Sequence, residues 1–278
     1  MTETESLRPE EYREPVCPFD PDFYKPEPPV SPIPVGRVME KLDQYLEHDD
    51  QAAAGRHLDY WLREAEAGND LQGELALRNE RMGYFRKNGK REEALREAER
   101  AEKLVELLRL SDAVTGGTTL LNVGTVLNSF GMAEKAVPYY ERAGEIYRAR
   151  LSPEDPRFGG LYNNTALAYA ATGRFREAAE YYPRALRIME KVENGELERA
   201  VTLLNLADAR EAERGEEAEE EIFALLEEAE RLLKTPSLPK NGYTAFTMEK
   251  CAPTFAYYGW FRAAKEFREE AKRIYERT

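Results

Sequence analysis

Residues 118–148 read TTLLNVGTVLNSFGMAEKAVPYYERAGEIYR, and residues 160–190 read GLYNNTALAYAATGRFREAAEYYPRALRIME. Each segment contains one central glycine, Gly131 or Gly173, and these two glycines are 42 residues apart. After each glycine, alanine occurs five and twelve residues on, a tyrosine pair eight and nine residues on, and isoleucine fifteen residues on. The same structural unit is therefore encoded twice in succession.

The frame of this unit extends in both directions along the chain. Gly89 lies 42 residues before Gly131, Gly215 lies 42 residues after Gly173, and Gly259 lies 44 residues further on. Alanine again follows Gly89 and Gly259 at five and twelve residues, whereas the pattern after Gly215 is shifted by about two residues. Five glycines in one register predict a repeat architecture rather than a single globular core.

The spacing within each unit predicts a pair of helices. Glycine ends a first helix well, because it adopts the left-handed backbone that closes a helix at little cost. Alanine at plus five and plus twelve and isoleucine or leucine at plus fifteen fall close to one face of the second helix. Small residues on that face let helices approach closely. One pair cannot bury its own apolar face, so the pairs must stack into a solenoid.

This pattern resembles the tetratricopeptide repeat. The residues that carry the resemblance are the small residue of the first helix (Gly124, Ala166), its larger partner (Leu127, Tyr169), the second-helix alanines, and the segments LYNNTALAY (161–169), EKAVPYYERA (134–143) and LSPEDP (151–156). The ordinary repeat has about 34 residues, and the longer unit here is similar to kinesin light chain repeats. The resemblance covers roughly 72–191 well and 196–278 more weakly. It implies an all-α, right-handed α-solenoid of stacked antiparallel helix pairs, with first helices lining a concave groove.

The sequence divides into two regions, a proline-rich extended arm at 1–35 and a TPR-like α-solenoid at 36–278. We expect the first pair, which is degenerate, to cover the end of the stack. Pro183 and Pro253 fall inside predicted helices, where proline costs about 3 kcal/mol, so kinks are expected there. The six predicted helix pairs lie at about 36–67, 71–109, 113–150, 157–191, 196–234 and 241–277.

The arm holds nine of the sixteen prolines, with eight acidic and three basic residues. Proline fixes φ and removes a hydrogen-bond donor, so this segment is predicted to be extended or disordered. Phe19, Phe23 and Tyr24 interrupt its polar background. Two interpretations follow. The arm is a flexible tail, or part of 16–35 packs over the first two helix pairs, where it seals the stack or competes with a ligand.

Charge and composition exclude several classes of function. The net charge of −13 argues against general binding to nucleic acid or to anionic membranes. No apolar stretch approaches the length of about 18 residues that a membrane-spanning helix needs. The N-terminus is acidic and lacks the features of a signal peptide. Two isolated cysteines, Cys17 and Cys251, favour a reducing cytoplasm over a structural disulfide.

The sequence contains no pattern typical of catalysis, a metal site or a cofactor site. His48 and His57 are the two histidines, and neither has a ligand-spaced partner. Neither a phosphate-binding loop nor a Gly-x-Ser-x-Gly motif occurs. Cys251 is expected to pack as a small apolar residue. We therefore expect a protein that is not an enzyme and that carries neither cofactor nor metal.

A row of asparagines marks the first helices. Asn122 and Asn164 lie nine residues before their glycines, and Asn163 and Asn205 lie ten before theirs. The resemblance implies that the position nine before the glycine hydrogen-bonds the backbone of a bound peptide. The outer repeats have Glu80 and Lys250 there, and we include Lys250 among the candidate binding residues. The alternative is that these amides bond across neighbouring helices and only stiffen the stack.

The resemblance implies a non-enzymatic, cytoplasmic interaction scaffold that binds a peptide segment of a protein partner in the concave groove. An alternative is a peptide-sensing regulator, in which ligand binding changes the curvature of the solenoid and thereby a second interaction. A third interpretation, from another class, is an enzyme with a pocket between the last repeats, near Pro183 and Pro253.

Overall fold

The computed structural model describes residues 31–277, and within this range the chain is helical and contains no strand. A short 3-10 turn, Gly215–Ala218, precedes the tenth helix. The helices form six antiparallel pairs, α1/α2 to α11/α12, and each second helix up to α8 also packs on the next first helix. The twelve helices are α1 (Val35–Glu47), α2 (Gln51–Ala67), α3 (Leu71–Lys87), α4 (Arg91–Leu107), α5 (Val114–Ser129), α6 (Ala133–Arg150), α7 (Arg157–Ala171), α8 (Phe175–Met189), α9 (Glu196–Arg214), α10 (Glu219–Leu233), α11 (Gly242–Tyr257) and α12 (Phe261–Arg277).

The register of the repeats is set at the glycines. From α3 onward, each first helix ends one or two residues before a glycine with a positive φ. These φ angles lie between 57° and 82°, in the left-handed region that L-residues with a side chain rarely adopt. The predicted role of the glycines as helix terminators is confirmed. They are Gly89, Gly131, Gly173, Gly215 and Gly259.

Small residues hold the helices close together. The predicted interface residues Ala136, Ala143, Ala178 and Ala185 are at most 1% exposed. In the first helix the same role falls to Gly124, since a Cβ atom placed there would lie 2.7 Å from the ring of Tyr140. The prediction that alanine marks the buried face is therefore confirmed.

Helices α2 and α3 begin at side-chain caps, whereas the prolines expected to cause kinks lie inside helices without ending them. Asp50 and Asp70 are side-chain caps, and they accept hydrogen bonds from the N–H groups of Ala53 and Gly73 at 2.8 and 2.9 Å. Pro183 and Pro253 do not end their helices, because α8 and α11 remain helical on both sides of them. Both prolines lie on exposed positions, so neither ring enters the packed interface.

The residues just before α1 pack against the second pair. The N–H group of Ile33 donates to the Asp70 carboxylate at 3.0 Å, and the Ile33 side chain is buried against α3. The carbonyl of Ser31 lies so close to Gly68 that a Cβ there would be 2.7 Å away. The described end of the predicted arm thus contacts the first two pairs. Residues 1–30, with Phe19, Phe23 and Tyr24, lie outside the described residues.

The last pair returns to the first. A Cβ atom on Gly242, where α11 begins, would lie 2.6 Å from the Cα atom of Glu47, where α1 ends. The ammonium of Lys87, the last residue of α3, lies 4.3 Å from the centre of the Phe246 ring on α11. We call these contacts of α11 with α1 and α3 the closing contact. The helices in this contact, α1, α3 and α11, are all first helices of their pairs. The first helices therefore line the inside of a superhelical turn. We call this side of the solenoid the inner surface.

Candidate functional site

Amide side chains connect the first helices on the inner surface. The Asn122 amide on α5 donates to the Oδ1 atom of Asn79 on α3 at 2.8 Å. The Asn79 amide in turn donates to the Thr119 hydroxyl at 3.0 Å and to the carbonyl of Leu75 at 2.9 Å. These bonds tie α3 to α5.

A second set of bonds continues from α5 to α9. The Asn164 amide donates to the Thr125 hydroxyl at 3.1 Å, and the Asn205 amide donates to the Oδ1 atom of Asn163 at 3.0 Å. The Asn163 amide makes a longer bond of 3.4 Å to the Oδ1 atom of Asn164. We refer to the five residues Asn79, Asn122, Asn163, Asn164 and Asn205 as the asparagine ladder.

The ladder braces the helices and still retains capacity for a ligand. An amide has two donor hydrogens and an acceptor oxygen with two lone pairs. Within residues 31–277, the Oδ1 atoms of Asn122 and Asn205 accept no hydrogen bond, and both side chains are partly exposed. The cross-helix bonds expected of a bracing role are therefore present, and they leave polar atoms that a bound chain can use.

Sequence reasoning missed Asn79, which is the acceptor for Asn122. A signal for it existed, because Asn79 lies ten residues before Gly89, the same spacing that Asn163 and Asn205 have from their glycines. Thr125 was also missed. A serine or threonine inside a helix often donates its hydroxyl hydrogen to the backbone carbonyl of the preceding turn. Thr125 does so to the carbonyl of Leu121 at 2.8 Å. The pattern therefore did not distinguish it.

Lys250, the fifth predicted binding residue, lies apart from the ladder on α11, beside the closing contact. Its side chain is exposed, yet surrounding protein lowers its pKa, an effect that Arg86 reinforces. Glu80, on α3, is also exposed, yet the surrounding protein, together with the charge of Asp43, raises the pKa of its carboxyl. Exposed groups with such shifts are typical of a concave surface, where water reaches the charge but other helices surround it.

The inner surface holds carboxylates as well as cations. On α9, Glu198 accepts a hydrogen bond from the hydroxyl of Tyr243, and burial raises the pKa of its carboxyl. The charge of Glu198 acts on Lys250, and that of Glu80 acts on Lys87. The lysines on either side of the closing contact are thus partly compensated by carboxylates on neighbouring first helices.

The contacts of His57 and the burial of Cys251 indicate structural roles for both side chains. The Nε2 atom of His57 lies 2.9 Å from the carbonyl of Val38, and its ring packs between Tyr45 and Trp61. Cys251 is buried at 3% exposure, and this burial raises the pKa of its thiol to about 12. Such a thiol is not activated as a nucleophile. No group of three metal-ligating side chains occurs between residues 31 and 277.

Among residues 31–277, no helix combines the length and the apolar character of a membrane span.

Two solved structures illustrate what this architecture is similar to. BtubC (BKLC) from P. vanneervenii has a TM-score of 0.52 and 19% identity, over 84% of this chain and 90% of that chain. A putative kinesin light chain with nearly identical TPR-like repeats, from Podosopora anserina, has a TM-score of 0.48 and 20% identity, over 71% of this chain and 92% of that chain. At these identities the likeness shows the fold.

The fold is that of a TPR-like α-solenoid with repeats of the kinesin light chain type, so the resemblance drawn from the sequence is confirmed. No protein-family model matches the chain, and no curated protein matches it. The likeness concerns the fold, so a function has to be argued from the inner surface itself.

Proposed function

We propose that this protein is a non-enzymatic scaffold that binds a peptide segment of a protein partner on the inner surface. The observation that carries the proposal is the asparagine ladder, which runs across four consecutive first helices from α3 to α9. A row of amides that crosses several helices matches an extended peptide, because such a peptide presents N–H and carbonyl groups at regular intervals.

In this proposal, Asn122 and Asn164 contact the middle of the peptide backbone. The Oδ1 atom of Asn122 accepts from a peptide N–H group, and the remaining donor hydrogens of both amides bond to peptide carbonyls. Asn163 and Asn205 extend the row toward α9, and Lys250 meets one end of the ligand. Contacts with the peptide backbone provide affinity with little dependence on side chains, so specificity has to come from neighbouring residues.

We further propose that the partner is a protein of a reducing cytoplasm rather than a nucleic acid. The net charge of −13 disfavours phosphate backbones in general. The buried thiol of Cys251 suits a compartment in which cysteine stays reduced.

The first test is a pull-down from the source cell with the Asn122→Ala/Asn164→Ala variant, with bound proteins identified by mass spectrometry. We expect loss of a protein that the wild type retains. Because these substitutions also remove bonds between helices, the melting temperature of the variant must be measured in parallel. Capture at wild-type strength would leave only the bracing role for these asparagines.

A second variant blocks the inner surface without touching the ladder. Gly83 lies one turn after Glu80 on α3, and a Cβ atom there would have nothing within 4 Å. Gly83→Leu should therefore fold normally and fill the space that a peptide needs. Gly36→Leu is the matched control, because Gly36 also has open space around it but lies in the first turn of α1, a helix that carries no ladder residue. Equal partner capture by both variants would contradict binding on the inner surface.

A further inference from the structure

The last turn of the solenoid carries two exposed aromatic side chains. Tyr257 ends α11 and is 69% exposed, and Phe261 begins α12 and is 71% exposed. Within residues 31–277, these are the two most exposed large apolar side chains. They lie two residues before and two residues after Gly259, and no earlier turn glycine has an aromatic residue at both places. The equivalent pairs are Lys87/Arg91, Ser129/Ala133, Ala171/Phe175 and Glu213/Glu217. Packing of the repeat therefore does not require these two rings.

Two carboxylates of α9 lie against this turn. The Tyr257 hydroxyl donates to the Oε1 atom of Glu211 at 3.1 Å. The Tyr258 hydroxyl lies 3.1 Å from the Oδ1 atom of Asp208 and 3.2 Å from the Oε2 atom of Glu211. A tyrosine hydroxyl has one hydrogen, so it donates to only one of these two oxygens at a time. The two carboxylates are therefore held close together with fewer donors than they can accept.

No cation compensates these carboxylates within residues 31–277, where neither Asp208 nor Glu211 forms an ion pair. The cations nearest to them in sequence, and the one beside Phe261, pair with other carboxylates, as Arg210–Glu213, Arg210–Glu221, Arg214–Glu221 and Arg262–Glu266. Asp208 is exposed, yet the surrounding protein raises the pKa of its carboxyl, and the charge of Glu211 raises it further. The hydrogen bond from Tyr258 offsets this effect only in part.

We propose that the end of α9 and the turn between α11 and α12 form a second interaction surface, which binds an arginine of a basic peptide segment from a protein partner. We call it the turn surface and define it by Asp208, Glu211, Tyr257, Tyr258 and Phe261. Charge complementarity carries the choice of occupant, because uncompensated carboxylates beside exposed rings match a cation that can both stack and donate. The turn surface goes beyond the proposed function, since it involves none of the ladder residues.

Arginine fits the turn surface better than lysine does. A guanidinium has five donor hydrogens in one plane, so it reaches Asp208 and Glu211 together, which the single hydrogen of Tyr258 cannot do. The same plane stacks on an aromatic ring and thereby covers the exposed face of Tyr257 or Phe261. Lysine provides a compact charge that does not match two carboxylates in this way.

The test uses the full-length chain and a fluorescein-labelled peptide of four Gly-Ser-Arg units, with binding measured by fluorescence anisotropy. Asp208→Asn/Glu211→Gln should bind this peptide about tenfold more weakly than wild type. Both new amides keep an oxygen that accepts from the tyrosine hydroxyls, so the fold is retained. The matched control is Glu92→Gln/Glu99→Gln, which changes the net charge equally at positions that are 87% and 68% exposed. It should change the affinity less than about twofold.

A second variant tests the aromatic part of the turn surface. Phe261→Ala should weaken binding of the arginine peptide about two- to fivefold, because it removes a ring on which the guanidinium stacks. Tyr60→Ala is its control, since Tyr60 is an exposed aromatic residue on α2. Peptides with lysine or glutamine in place of arginine should bind the wild type more weakly, and glutamine most weakly.

Several results would overturn the turn surface. They are equal binding of the arginine and glutamine peptides, equal binding of the arginine and lysine peptides, equal losses in the two carboxylate variants, and wild-type affinity of Phe261→Ala. Sedimentation velocity examines a different occupant. A wild-type dimer that Phe261→Ala dissociates would assign the surface to a second copy of this chain and contradict an external basic segment.

The ladder variant separates this proposal from the proposed function. Asn122→Ala/Asn164→Ala should bind the arginine peptide within about twofold of wild type, because these asparagines lie on α5 and α7. A larger loss would place the peptide on the inner surface and overturn the turn surface. If this variant instead captures the cellular partner normally, peptide binding by the ladder is wrong, while the loss of arginine-peptide affinity in Asp208→Asn/Glu211→Gln still supports the turn surface.

Discussion

At the scale of single residues, the solenoid depends on side chains that are too small to keep helices apart. Ala178 is 1% exposed and lies in the same core cluster as Tyr140 and Tyr182. Its position five residues after Gly173 repeats that of Ala136 after Gly131. Both positions were predictable from sequence, because a buried alanine at a fixed offset recurs in successive repeats.

Ala178→Leu should overpack this interface and lower the free energy of unfolding by about 1–3 kcal/mol. Chemical denaturation followed by circular dichroism measures the change. Ala212→Leu is the control, since Ala212 is exposed on α9 and should tolerate leucine within about 0.5 kcal/mol. If both variants unfold at the same denaturant concentration, the assigned register of the buried face is wrong.

A network of ion pairs that joins α2, α3 and α4 was not predictable from the sequence. The sequence contains many alternating charges, and most of them, such as Arg96 with Glu92, are exposed. The fold selects a few and buries them, so that Glu74 and Glu97 are 2% and 6% exposed. The pairs within hydrogen-bond reach are Arg78–Glu66, Arg78–Glu74, Arg78–Glu97, Arg81–Asp59, Arg81–Glu97 and Arg100–Glu74.

Arg78→Gln should lower the free energy of unfolding by about 1–3 kcal/mol at neutral pH, because it removes a partner from two buried carboxylates. Urea denaturation checks this, with the exposed Arg96→Gln as control. Burial alone would raise the pKa of Glu74, but hydrogen bonds from Arg100 and Arg78 outweigh it, and the net pKa is lowered.

The stability that Glu74 contributes is therefore present above the ordinary carboxyl pKa of 4.5 and is lost as pH falls through its lowered folded-state value. The difference in stability between wild type and Arg78→Gln should accordingly shrink in acid. A difference that stays constant from pH 7 into the acid limb would contradict the assigned role of the network.

At the scale of helices and turns, glycine occurs in two different backbone conformations. Gly173 has a φ of 74° at the turn between α7 and α8, whereas Gly83 is helical on the inner surface. A Cβ atom at either position would meet nothing within 4 Å. Any difference between the two positions on substitution therefore comes from the backbone alone.

Gly173→Ala should destabilise the protein by about 1–2 kcal/mol, because alanine pays the steric cost of the left-handed region. Gly83→Ala should stabilise it by about 0.5–1 kcal/mol, because alanine is the better helix former. Thermal melts of the two variants against wild type measure both effects. Shifts of the same sign would show that the turn at Gly173 does not constrain the backbone as described.

Helix positions followed from sequence more completely than inner-surface contacts did. Turn glycines and buried alanines are local signals, repeated in each unit. The bond from Asn122 to Asn79 depends instead on the relative rotation of α3 and α5, which no single helix encodes. The partner of each ladder residue therefore changes along the stack, from asparagine at Asn122 to threonine at Asn164.

At the scale of the whole molecule, the closing contact is the feature that sequence could not predict. It results from small rotations that accumulate over several repeats. Its chemical trace in the sequence is a single glycine, Gly242, which lies against the backbone of Glu47. Glycine at the start of a helix is common, and nothing in its neighbourhood marks it as a distant contact.

Gly242→Ala should separate α11 from α1, because its Cβ would lie 2.6 Å from the Glu47 Cα atom. We expect a larger radius of gyration in small-angle X-ray scattering and faster amide exchange at 44–50. Gly36→Ala is the control, since it adds the same methyl group to α1 where nothing lies within 4 Å. Identical scattering from both variants would mean that α1 and α11 are not held together in solution.

The N-terminal segment connects residue detail with the whole molecule, and two deletions separate its possible roles. Removing 1–34 takes away Ile33, whose burial stabilises by about 1.5–3 kcal/mol, and one hydrogen bond to Asp70. This deletion should lower the melting temperature clearly. Removing only 1–30 leaves that contact in place, so the melting temperature should stay within about 1–2 °C of wild type. If the shorter deletion destabilises as much as the longer one, residues upstream of Ser31 seal the stack. If it instead tightens partner binding, the arm competes for the inner surface.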